Sequence, residues 1–326
     1  MNDQIEGAPK SHCIENFRIA AGEKQGEFYG AVFQDSDVAK WLEAVAYTLA
    51  EKPDKELKKL ADSVIELIGR AQEPDGYFNT YFILKEPGQR FRNLREGHEL
   101  YTLGHMIEAA VAYKRATGEK RFLEIVQKMA DLVANTFGVE EGKRMGMPGH
   151  QEIELALMKL YEETGKESYK ELAKYFIDVR GCGNRNYFLE EMKQKDVKRI
   201  FPELNDYRPE YSQSHLPVRK QRTAEGHAVR AVYMYAAMAD IAAEYDDEEL
   251  LGACETLWNN MVHRRMYVTG GIGSSGILER FTADYDLPND YNYCESCASI
   301  GLAFFARRMM QITKKAKYVE VMERAL

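Results

Sequence analysis

Five hairpins of amphipathic helices leave this chain few folds to choose from. Apolar residues recur at helical spacing over 37–50 and 57–71, 98–115 and 122–137, 150–163 and 169–179, 227–244 and 250–262, and 294–312 and 318–326. Short polar turns join the two members of each pair, and no convincing run of strands stands between them. Three turns share one pattern: TGEKRF at 117–122, TGKESY at 164–169 and TKKAKY at 313–318. An aromatic five residues after each threonine can pack back on the preceding helix, as in one supersecondary unit used repeatedly. Stacked hairpins make an open α-solenoid or a closed α/α toroid. A solenoid keeps a fixed period, whereas here long loops of varied length fall before the first helix of each pair. That asymmetry favours an all-α toroid.

Those loops are the first candidates for function. The segments 73–82 (EPDGYFNTYF) and 181–223 are rich in aromatic and amide side chains, which suit a sugar, and long loops in compact domains are usually lids or walls. Gly-His pairs at 97–98, 149–150 and 226–227 open three first helices, and Glu295 and Cys297 open the last. If the first helices form the inner ring, these ends face one mouth, and His98, His150 and His227 converge on one pocket. A single histidine at a helix start is more often a cap or a packed side chain; three in equivalent places are harder to assign to packing. His105, two turns into the helix of His98, packs or supports it, whereas His12, His215 and His263 follow no pattern.

The stretch 270–309 is the densest in reactive side chains. Its glycines fit G-x-G-x-x-G over 271–276, and 265–269 can be read as a preceding strand. A dinucleotide-binding turn must open a helix inside a βαβ unit, however, and here a Pro/Asp-rich loop follows. The glycines are therefore read as a turn that sets Glu279 at the edge of a cavity. Cys294, Glu295, Ser296 and Cys297 sit at a helix start, where the dipole favours anions. They can be a redox dithiol, part of a zinc site or a buried packing pair, and the residues alone leave all three open. A net charge of −8 with no basic run excludes nucleic acid and anionic membranes as partners. No apolar run is long enough for a membrane span. Five cysteines without a pairing pattern suit a reducing, cytoplasmic setting.

With these residues in hand, the chain resembles glycoside hydrolase family 127, the β-L-arabinofuranosidases. The likeness runs in order through SHCIENFR at 11–18, FQDSDV at 33–38, GHELY at 97–101, the pairs at 149–150 and 226–227, DYDLPND at 284–290 and ESCA at 295–298. It implies an (α/α)6 barrel followed by β-sandwich domains, retaining hydrolysis at the non-reducing end of β-L-arabinofuranosides, and a Zn2+ ion held by one glutamate and three cysteines. By motif, Glu279 is the general acid/base, Glu295 and Cys297 are zinc ligands, and His98, His150, His227 and Glu295 hold the sugar. The implied nucleophile is a zinc-bound cysteine in a Cys-Cys pair, which this sequence lacks. The expectation is accordingly a single catalytic barrel over 1–326, incomplete at both ends, without the sandwich domains and inactive alone. Its partners would be an arabinofuranosyl oligosaccharide or glycoconjugate and a missing C-terminal part or a second copy. Glu279 must give and take a proton, so burial near Glu295 is expected to raise its pKa. The competing readings are a non-catalytic carbohydrate-binding or subunit protein and another α/α-toroid enzyme, an epimerase or uronyl hydrolase.

Overall fold

A computed structural model describes residues 11–326. Helices and turns account for the architecture, with only isolated β-bridges and no strand ladder among the described residues. The all-α expectation holds, and the residues fall into two compact units.

The first unit takes 11–148, 159–172 and 197–200. It contains α1 (Cys13–Ala20), α2 (Asp35–Glu51), α3 (Lys55–Ala71), α4 (Thr80–Leu84), α5 (Glu99–Thr117) and α6 (Arg121–Thr136). Here α2 packs on α5, and α3 on α6. Burial separates the two layers: α5 is buried on all sides through most of its length, whereas α6 buries only one face. Asp54 starts α3 by accepting the N–H groups of Glu56 and Leu57, both at 3.0 Å. Buried Asp35 ties α2 to α4, accepting from the N–H and hydroxyl of Thr80 at 2.7 and 2.6 Å.

The second unit takes 149–158, 173–196 and 201–326. Helices α7 (Ile153–Thr164) and α8 (Glu167–Val179) contribute to both units. Then come α9 (Tyr187–Glu191), α10 (Ala228–Glu244), α11 (Glu248–Arg264), α12 (Ser296–Thr313) and α13 (Ala316–Ala325). Helix α10 packs on α11 and α12, and α12 on α13. Again the first helix of the pair, α10, is buried all round while α11 buries one face. Between α11, α12 and α13 the Trp258 ring meets Phe305 and Tyr318, with centroids 5.5 and 4.6 Å away.

All five expected hairpins are present, with ends shifted by a few residues. Periodicity does not anticipate α1, α4 and α9, because eight- and five-residue helices are too short to display one. The segment 181–223 is less irregular than its composition suggests, holding α9 and three 3-10 turns. No strand forms over 265–269, where only Met266 bridges to Ile272. No helix among the described residues is long and apolar enough to cross a membrane.

The repeated turn has a physical basis. The hydroxyls of Thr117, Thr164 and Thr313 donate to the carbonyls of Tyr113, Leu160 and Met309 at 2.7, 2.6 and 2.7 Å. The next residue is left-handed each time, with φ 79° at Gly118, 70° at Gly165 and 58° at Lys314. The chain then returns so that Phe122, Tyr169 and Tyr318 are buried. Lysine adopts this backbone at a cost that glycine avoids. Lys314→Gly is therefore expected to stabilise the chain by about 1 kcal/mol in urea unfolding; an unchanged midpoint would show that the turn holds no strain.

Candidate active site

Backbone pairing pins Glu279 beside the start of α10. Ser275 and Arg280 exchange hydrogen bonds of 3.1 and 3.0 Å that close the turn between them, and the N–H of Phe281 donates to the carbonyl of Gly226 at 2.9 Å. Arg280 also bridges to His227. Inside the turn, Leu278 and Glu279 are both left-handed, with φ 59° and 52°, strain of the kind found at working sites. Two donors meet the Glu279 carboxylate: Nε2 of His227 at 2.8 Å and the Tyr293 hydroxyl at 2.6 Å.

His227 is a buried N-cap whose Nδ1 accepts the N–H of Arg230 at 3.4 Å. With Nδ1 accepting, the proton sits on Nε2 and the ring is a neutral donor to Glu279. Burial agrees with this, holding the imidazole below its ordinary value despite the nearby carboxylate. Glu279 is pulled down from 4.5 to about 2, chiefly by the hydrogen bond from His227, against some burial, and with help from Tyr293. The expected upward shift is thus overturned. The side chain is 42% exposed, so desolvation is modest, and its neighbours are donors that favour the charged form.

Other rings gather at His227. Its centroid lies 5.3 Å from that of His150 and 5.7 Å from that of Tyr211, both edge-on. Nδ1 of His150 donates to the carbonyl of Gln151 at 2.8 Å. The three Gly-His openings differ locally: His98 caps α5 with φ 53°, His227 caps α10 with extended backbone, and His150 precedes α7 by two intervening residues. His98 belongs to the first unit, where its ring is 5.3 Å from Phe33 and 5.5 Å from Tyr101. The structure therefore brings His150, His227 and Glu279 together in the second unit.

The cysteine cluster begins one residue after Tyr293. The N–H groups of Tyr293 and Cys294 donate to Ser274 and Gly273 at 3.1 and 3.0 Å, so the glycine turn runs alongside it. A Cβ on Gly271 would press on the Sγ of Cys294, and one on Gly273 would crowd Ala228; these glycines serve close packing. Glu295 is the N-cap of α12 and Cys297 its second residue. Both act electrostatically on Tyr293, whose pKa is raised first by its bond to Glu279. Burial pushes the Cys294 thiol up, the opposite of an activated redox thiol. Glu295 and Cys297 offer oxygen and sulfur donors of the kind zinc takes. Among the described residues no three His, Cys, Asp or Glu side chains gather closely enough to hold a metal ion.

A sequence model of the β-L-arabinofuranosidase GH127 catalytic domain matches residues 1–326. The chain belongs to glycoside hydrolase family 127. This GH127 chain is 48% identical over 321 residues to a non-reducing end β-L-arabinofuranosidase of Bifidobacterium longum subsp. longum, covering 97% of the chain and 49% of that relative. A crystal structure of a GH127 β-L-arabinofuranosidase from Geobacillus stearothermophilus T6 superposes with a TM-score of 0.95 at 60% identity, over 99% of this chain and 50% of that one. A second GH127 β-arabinofuranosidase structure gives 0.86 at 40% identity, over 97% and 48%. The GH127 chain spans about half the length of these relatives.

Sequence reasoning passes over Tyr211, Arg230 and Tyr293 as individual site residues. A signal for Arg230 exists, since it is the one charged residue between His227 and Asp240 in an otherwise apolar helix. Tyr211 and Tyr293 lie in loops rich in tyrosine, where nothing local distinguishes them.

Proposed function

We propose that this chain carries the sugar site of a retaining glycoside hydrolase that releases L-arabinose from the non-reducing end of β-L-arabinofuranosides, within one α/α catalytic domain. Family membership and the activity named for the Bifidobacterium relative support this reading. The observation that carries it is the Glu279 carboxylate, open to solvent and held from behind by His227 at 2.8 Å. A carboxylate so placed can serve as the proton-transferring group of glycoside hydrolysis. His150, His227 and Glu295 are assigned to the sugar hydroxyls. Glu295 and Cys297 are assigned as two ligands of a Zn2+ ion, which when bound would keep thiolate sulfur ionised at neutral pH.

Calorimetric titration with methyl β-L-arabinofuranoside tests the reading. Binding by the chain is expected, with affinity lowered about tenfold in His150→Ala and in His227→Ala, the loss of a hydrogen bond to a sugar hydroxyl. Binding of cellobiose in place of the arabinofuranoside would overturn it in favour of another sugar enzyme. Undiminished affinity in both variants would remove the histidines from the sugar site.

A further inference from the structure

Arg230 stands one turn into α10, buried to 2% exposure in a helix that is otherwise apolar around it. Burying a guanidinium is unfavourable unless its charge and its donors are met. No carboxylate among the described residues forms an ion pair with it, and its Nε is buried without a hydrogen-bond partner. What it does meet are parts of the site. Nη1 donates to the carbonyl of Gly149, next to His150, at 2.7 Å and to the hydroxyl of Ser212 at 3.2 Å. The guanidinium lies over the Tyr211 ring, 4.4 Å from its centroid. Tyr211 in turn accepts the backbone N–H of His227 at 3.1 Å, and the N–H of Arg230 itself caps onto Nδ1 of His227.

We infer that Arg230 is a positioning residue of this site: one fixed cation that ties the His150 strand of chain, the Tyr211 turn and the His227 cap together. Its position serves Glu279 as well. The charge acts through space on both Glu279 and His227, disfavouring a second cation on the imidazole while favouring the carboxylate. This adds to the burial that chiefly keeps His227 a neutral donor and to the His227 hydrogen bond that chiefly holds Glu279 in its proton-accepting form, without a salt bridge that a sugar would have to break. An ordinary ion pair would hold Glu279 in place but block it; a cation set behind the histidine does not. The inference rests on the proposed sugar site for its functional meaning, though its physical content concerns only these side chains.

The test uses the whole chain with Arg230→Met and Arg230→Lys, their fold checked by circular dichroism. The groups facing His227 are Glu279, Arg230, His150 and Tyr211, so its titration is followed by 1H–15N magnetic resonance of the imidazole. In Arg230→Met the pH at which His227 takes up a proton is expected to rise by about half a unit or more, while Arg230→Lys, which keeps the charge, stays near wild type. Affinity for methyl β-L-arabinofuranoside is expected to fall about tenfold in Arg230→Met. A His227 titration in Arg230→Met that matches wild type would overturn the inference. Should that variant not fold, the wild-type guanidinium decides: distinct, slowly exchanging Nη–H signals are expected, and a single averaged, solvent-exchanging signal would overturn the inference. Failure of wild type to bind the arabinofuranoside would count against the functional reading, and the histidine titration would still judge Arg230.

Discussion

In a full-length protein that carries this chain and releases L-arabinose as proposed, replacing Glu279 by glutamine is expected to slow that release by about 10²–10⁴-fold, with binding of the sugar retained. Glutamine keeps the size of the side chain and its amide oxygen can still accept from one of the two donors, but it neither gives nor takes a proton. An unchanged rate would show that another group transfers the proton. The protonation state sharpens the expectation. At about 2, the ligand-free carboxylate is set as a base, and to act as an acid it has to lose a donor when the sugar arrives. Tyr293→Phe removes one donor in advance, so the Glu279 carboxyl is expected to titrate above about 2 in that variant, read by 13C magnetic resonance. A titration that stays at about 2 would leave His227 and Arg230 as the causes. The sign for stability follows from the same shift. A carboxylate held below its ordinary 4.5 stabilises the fold above that pH and loses the contribution as pH falls toward about 2. Solvent screens so open a group, so this part of the effect is small.

Gly226→Ala is expected to destabilise the chain by about 2–5 kcal/mol, combining a left-handed backbone with crowding. Gly226 has φ 72°, and a Cβ there would overlap the carbonyl oxygen of Glu210 and press on the Cα of Tyr211. Both obstacles are backbone, so neither can swing aside. The carbonyl of Gly226 also receives the N–H of Phe281, so a shift at this point moves the Glu279 turn away from His227. Gly88→Ala is the control: its φ is 84° but nothing lies within 4 Å of the new methyl. Urea unfolding should show Gly226→Ala to be worse than Gly88→Ala by about 1 kcal/mol or more. Equal losses would mean that the Glu210 backbone yields.

The hairpins are legible in the sequence because each helix repeats its apolar face over several turns, and because threonine, a left-handed residue and an aromatic mark the turns at 117, 164 and 313. Composition also points to the segment 181–223, which brings Tyr211 beside His227. What it does not contain is the meeting of His227 and Glu279, 52 residues apart, which depends on backbone pairing around Gly226, Ser275 and Arg280. The pKa of Glu279 is misjudged for the same reason. Neighbours in sequence suggest burial near Glu295, whereas the groups that set its charge come from 14 and 52 residues away. Arg230 is visible as a lone charge in the apolar stretch between His227 and Asp240, but only its contacts with Gly149, Ser212 and Tyr211 suggest what it is for.

The contorted main chain at Leu278 and Glu279 sets heat resistance against chemistry at a single spot. Glycine or asparagine at 279 relaxes the twist and removes the carboxylate in the same step, so selecting this chain for thermal endurance alone would favour substitutions there. A screen that also scores sugar release would have to seek its gains elsewhere, at strained turns such as Lys314, where a calmer backbone takes nothing from the Glu279 cluster.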